Sequence, residues 1–158
     1  MIRPLYAMLT GLFVIASLTA FGQQQTKAVP KVVFVCEHGA AKSVMAASEL
    51  QRMAKERGLE VTVLSRGSNP DAEIAAGVRK ELEAAGMVLG SAKPAKVSAQ
   101  DLTGATRVIS FGPDLSTFLP KGAKALDWSA TPAPSQDYKA AREHILKQLE
   151  ALLADLPK

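Results

Sequence analysis

The stretch that most constrains how this chain can fold is residues 31–58. "KVVFV" (31–35) is a β-rich run, "CEHGAA" (36–41) is a loop of small and polar residues, and a helical pattern begins at Lys42. The run suits a short buried strand. From Lys42 to about Arg57, Ala46, Leu50, Met53 and the aliphatic stem of Arg57 share one helical face, and Gly58 closes the helix. A strand that feeds straight into a helix lays that helix back across its own sheet. The following strand then runs parallel to the first.

The same alternation continues. Glu60 to Leu64 reads as a second strand and Ser65 to Asn69 as a turn. Asn69 is placed to cap a second helix that has Pro70 at its first position. Ile74, Val78, Leu82 and Ala85 give that helix an apolar stripe, and Gly86 ends it. Met87 to Asp101 is irregular. Thr106 to Phe111 reads as a third strand, with a helical turn near Leu115 to Phe118. Ala123 to Leu126 reads as a short fourth strand leading into Asp127 and Trp128. A Pro-rich loop covers Ser129 to Gln136. The last helix runs from Tyr138 to about Ala154, with Ala141, Ile145, Leu149, Leu152 and Leu153 on its buried side. The expectation is a three-layer α/β domain over residues 31–156, with a parallel four-stranded sheet flanked by helices. At 47% hydrophobic, 158 residues can bury a core without disulfides.

Residues 1–22, "MIRPLYAMLTGLFVIASLTAFG", have a positive start at Arg3, an apolar stretch and a small-residue exit. This is the layout of a secretory signal peptide, with an uncleaved anchor as the alternative. Residues 23–30 read as a polar tether. The expected location is the periplasm or the outside, with no membrane attachment once the signal is removed. Export sharpens the meaning of the single cysteine, Cys36. In an oxidising compartment a lone thiol is buried and inert, paired between chains, or a working group.

The loop itself favours work. Where a strand feeds a helix, the loop's backbone N–H groups and the positive end of the helix converge on one spot. Glu37, His38, Gly39, Ala40 and Ala41 would supply a cradle for a tetrahedral oxyanion, with Gly39, Ala40 and Ala41 small enough to wrap it closely. Cys36 sits beneath that spot, where the same donors stabilise a thiolate. Lys42 can close over the anion, and Ser43 can hydrogen-bond the sulfur and assist its departure. Each has a plainer alternative: a buried structural thiol, a solvated lysine, a surface histidine, a helix-capping serine.

"VFVCEHGAAKSVMA" (33–46) resembles the phosphate-binding loop of the low-molecular-weight protein tyrosine phosphatase superfamily. It is most similar to the arsenate-reductase-like branch, whose pattern is roughly Cys-x-His/Glu-Asn-x-x-Arg-Ser-x-Met-Ala. "SRGSNP" (65–70), "ALDW" (125–128) and "DYKAAREHI" (137–145) extend the resemblance over about residues 31–154. The chain departs from the pattern at four places. Lys42 stands where the family has Arg, and Gly39 where it has Asn. Thr131 stands before Pro132 where the family's acid would be an Asp. No further cysteine exists for an intramolecular thiol relay. Asp127 and Asp137 are the nearby carboxyls that could act as the acid, and Asp127 is the candidate carried forward.

The resemblance implies a cysteine-dependent phosphomonoester hydrolase working through a phosphocysteine, on a phosphorylated small molecule or a phosphotyrosine protein. Catalytic candidates are Cys36, Lys42, Ser43 and Asp127. The alternatives are an oxyanion-binding pseudophosphatase and an arsenate reductase that uses an external thiol. Other classes fit poorly. The net charge of +4 is spread among both signs and forms no nucleic-acid footprint. One Cys and two His are too few for a Cys/His metal site, no dinucleotide fingerprint is present, and no cofactor is expected.

Overall fold

In the computed structural model, which describes residues 28–157, four parallel strands lie in the order β2-β1-β3-β4. They are β1 (Lys31–Cys36), β2 (Thr62–Gly67), β3 (Arg107–Ser110) and β4 (Leu126–Asp127). The helices are α1 (Lys42–Glu56), α2 (Ala76–Ala84), α3 (Ala99–Leu102) and α4 (Tyr138–Asp155). This is the expected α/β architecture. The readings of residues 1–22 as a signal and of 23–30 as a tether fall wholly or mostly outside the described residues. Among the described residues no helix is long and apolar enough to cross a membrane.

β1 is central and buried on both faces, which is why its sequence is apolar without alternation. Phe34 and Val32 face a core shared with α1, α2 and α4, where Met45, Leu50, Leu82, Ile145 and Leu149 are fully buried. Val33 and Val35 face a second core with Leu102, Val108 and Leu115. Phe34, Phe111 and Trp128 form an aromatic cluster with centroids 5.8–6.4 Å apart. Through Trp128 this cluster anchors the loop that follows β4.

Several boundaries differ from expectation, and those of β2 and α2 share one reason. Ser65 to Gly67 are strand, not turn, because β2 pairs with β1 as far as Cys36↔Gly67. Residues 68–75 form an irregular, bent segment instead of starting a helix at Pro70. Their amides bond the loop carbonyls: Ser68 to Cys36, Asn69 to Glu37, Asp71 to His38 and Ala75 to Ala40, at 2.8–3.0 Å. Those contacts replace the expected Asn69 cap, and α2 starts only at Ala76, with Ala75 as its N-cap residue. Ile74, Val78 and Leu82 are buried as the stripe requires, whereas Ala85 is exposed. The fourth strand is two residues long, shifted to Leu126–Asp127.

The irregular stretch before β3 contains a helix the periodicity did not show. Ser98 and Asp101 form a capping box that opens α3. Asp101 also accepts from Arg66 of β2 at 2.8 Å. Burial alone would push the Asp101 carboxyl up, but the bonds from Arg66 and Ser98 outweigh it and hold the group below its ordinary value. A depressed carboxyl contributes stability that is complete above the unfolded value, near ~3.9, and is lost as pH falls through the lower folded value. Asp101→Asn is expected to cost about 1–3 kcal/mol at neutral pH and to flatten the acid limb of the stability profile. Urea unfolding at neutral and acid pH checks both.

Candidate functional site

At the C-terminal edge of the sheet, β1 passes directly through Cys36 into the 37–41 loop and then into α1. The residues that cross from β2 set the loop's shape. Because the carbonyls of Cys36, Glu37, His38 and Ala40 are taken up by the 68–75 segment, the peptide dipoles of the loop are oriented with oxygens outward. Among the described residues, none of the Glu37–Ala41 amides donates to another protein group. α1 also starts uncapped, for Ala41 has no side chain to bond the first-turn amides, and no acid lies in that turn. Unpaired loop amides above an uncapped 15-residue helix are an electropositive nest that an oxyanion would complete.

Two glycines permit this wrapping. Gly39 has φ +60°, a left-handed conformation that residues with a Cβ adopt at a cost. Asn is the residue that tolerates that region next best, so Gly at a position where the family pattern has Asn keeps the same backbone. Gly67 at the end of β2 lies against it, and a Cβ there would meet the Gly39 nitrogen at 2.7 Å and the His38 carbonyl carbon at 2.9 Å. Both obstacles are backbone, so the loop itself has to move. Gly67→Ala is expected to destabilise the protein by about 1–3 kcal/mol and to weaken phosphate binding. Urea unfolding and calorimetric titration with phosphate measure the two effects.

Cys36 is buried, with Sγ 3.1 Å from Ser43 Oγ. Ser65 Oγ, 3.0 Å away, donates to Ser43 Oγ. A hydroxyl has one proton, and Ser43, already accepting from Ser65, is free to turn its own toward the sulfur. Ser43 is fully buried, so this geometry is held by packing. Ser65 was not identified as part of the site in the sequence. Its signal lay in the "SRG" that follows an apolar run, but only the β1–β2 register shows that it reaches Ser43.

Lys42 and Thr131 come together across the loop's far side. Lys42 Nζ donates to the Thr131 carbonyl at 2.6 Å. The Thr131 side chain turns the other way, into the protein. Thr131 is 3% exposed, and its Oγ1 is 3.1 Å from His144 Nδ1 on α4. His38 is exposed and bonded through Nδ1 to Asp71 at 3.1 Å, with Glu37 3.8 Å from its other nitrogen.

Asp127 lies apart from this group. It ends β4, two strands from β1, and is exposed. A recess of about 550 Å³ at the ends of β3 and β4 is lined by Asp127 together with Ser110, Asp114 and Lys121, and by none of residues 36–43. Bonds from the Ser129 backbone and side chain hold the Asp127 carboxyl below its ordinary value. A proton donor to a leaving group is helped by the opposite shift. Asp137 caps α4, accepting from the Ala140 amide at 2.9 Å.

Residues 31–79 match the model of the family described as PTS system, Lactose/Cellobiose specific IIB subunit. No curated protein matches the chain. Solved structures align over most of it. A low-molecular-weight protein tyrosine phosphatase from Streptococcus pyogenes is 16% identical, with a TM-score of 0.69 over 82% of this chain and 95% of that one. The protein YfkJ from Bacillus subtilis is 19% identical, with a TM-score of 0.67 and the same coverages. A thioredoxin-dependent arsenate reductase from Corynebacterium glutamicum is 27% identical, with a TM-score of 0.67 over 82% of this chain. The chain spans 62% of that reductase's length. The fold is therefore one shared with a low-molecular-weight protein tyrosine phosphatase and with a thioredoxin-dependent arsenate reductase.

Proposed function

We propose that this chain is a cysteine-dependent phosphomonoester hydrolase that works through a phosphocysteine on Cys36. The observation that carries the reading is the convergence on one spot of a buried thiol, a serine able to donate to it and a run of unpaired loop amides. Its neighbours in fold include tyrosine phosphatases, and aryl phosphates, phosphotyrosine among them, are the esters to try first.

In this reading the loop amides and the first turn of α1 bind the non-bridging oxygens, with Lys42 as a cation at the rim. Lys42 gives a point charge where Arg would give a planar fork, so binding is kept better than alignment. Cys36 attacks phosphorus. Ser43 then donates to the sulfur as water displaces it from the phosphoryl group. The 1–22 segment favours an exported location, which fractionation of the producing cell checks.

The test is a quench experiment. Under reducing conditions, p-nitrophenyl phosphate should be turned over, and labelled phosphate should be trapped on Cys36 at no more than one per chain. If phosphate binds the loop but neither turnover nor label is found, the anion-binding alternative replaces the hydrolase.

A further inference from the structure

We propose that the site transfers phosphoryl groups without protonating the leaving group. Its substrates are then phosphates of acidic leaving groups: acyl phosphates and the phosphates of acidic phenols, in preference to phosphotyrosine or alkyl esters. This rests on the reading of Cys36 as nucleophile and narrows its substrate class.

The leaving group of a phosphoryl donor bound over Cys36 points out of the loop, opposite the attacking sulfur. The segment 128–137 meets the loop through the Lys42–Thr131 contact, and at that contact it offers an acceptor. Thr131 presents its carbonyl, and its hydroxyl is turned away onto His144. The Asp127 carboxyl accepts from the Ser129 amide at 2.8 Å and lines the separate recess at the ends of β3 and β4. The Asp137 carboxylate accepts from the Ala140 amide as the cap of α4. Lys42 holds the segment by one donor and has its others for oxyanion charge. Ser43 is committed to Cys36. His38, the titratable ring of the loop, is turned onto Asp71 of the 68–75 segment.

The chemistry balances without a donor. The Cys36 thiolate bonds to phosphorus, and the bond between phosphorus and the leaving oxygen breaks. The electron pair goes with that oxygen, which leaves as carboxylate or phenolate. Water then attacks phosphorus, the phosphorus–sulfur bond breaks, and the thiolate and inorganic phosphate are released with one proton to solvent. An unassisted leaving group develops negative charge in the transition state with no proton to offset it, so its acidity controls the rate.

The test is a leaving-group series on the wild-type protein: acetyl phosphate and aryl phosphates whose phenols span pKa values from about 5 to about 10. The expected result is a fall in kcat/KM of at least about 10³-fold across the aryl series, with acetyl phosphate among the best substrates. Thr131→Asp should leave that dependence as steep, because a side chain at 131 faces α4. A kcat/KM that varies less than about tenfold across the series means that a proton donor is present, and overturns the proposal while the hydrolase reading stands. Absence of Cys36-dependent turnover even with acetyl phosphate overturns both.

Discussion

Cys36→Ser is expected to lower hydrolysis of p-nitrophenyl phosphate by more than about 10³-fold while leaving phosphate affinity within about threefold. The two halves come from different parts of the site. Attack needs a polarisable, ionised sulfur, and a hydroxyl in the same place holds its proton. Binding draws on the 37–41 amides, the start of α1 and Lys42, none of which the substitution touches. The exchange is nearly isosteric in a buried position and keeps a hydrogen-bonding partner for Ser43, so the loop retains its shape. Steady-state kinetics under reducing conditions and calorimetric titration with phosphate read the two quantities. Loss of both together would mean that Cys36 holds the loop in place. Retention of full activity would remove the thiol from the mechanism altogether.

How much of this was legible in the sequence depends on whether the determinant is local. The order of strands and helices, the Cys36–Lys42–Ser43 spacing and the buried faces of α1 and α4 follow from patterns within a few residues. The start of α2 does not. Asn69-Pro70 carries a good local helix-start signal, yet the amides of residues 68, 69, 71 and 75 are taken by the carbonyls of the 36–40 loop, a long-range pairing that no local pattern encodes. The contacts of Ser65 with Ser43, Lys42 with Thr131 and Thr131 with His144 join residues separated by 22, 89 and 13 positions. No periodicity encodes them. Thr131 shows the gap most clearly. Its chemistry as a side chain is readable from the sequence, but which way it points is a property of the packed loop, and the structure shows its carbonyl facing the site.

Glu49→Ala is expected to destabilise the protein by about 3 kcal/mol, the largest stability effect among the substitutions considered. Glu49 is a fully buried carboxylate on α1. Arg142 of α4 donates to one of its oxygens at 2.6 Å and Arg52 to the other at 2.9 Å. The group thus joins the two helices that cover the same face of β1 and are drawn from opposite ends of the chain. Removing it leaves the Arg142 guanidinium without its carboxylate acceptor and Arg52 with Glu56 alone. Both arginines are about one-third exposed, at 34% and 36%, so water can recover part of their solvation. That places the cost at the low end of what breaking a buried pair entails. Glu49→Gln keeps the shape and some of the bonds and should lose less. In a double-mutant cycle with Arg142→Ala the two losses should fall short of adding, because each substitution removes the same contact. Additive losses in urea unfolding would show that the pair is adjacent but uncoupled, and that α1 and α4 are held by their apolar faces alone.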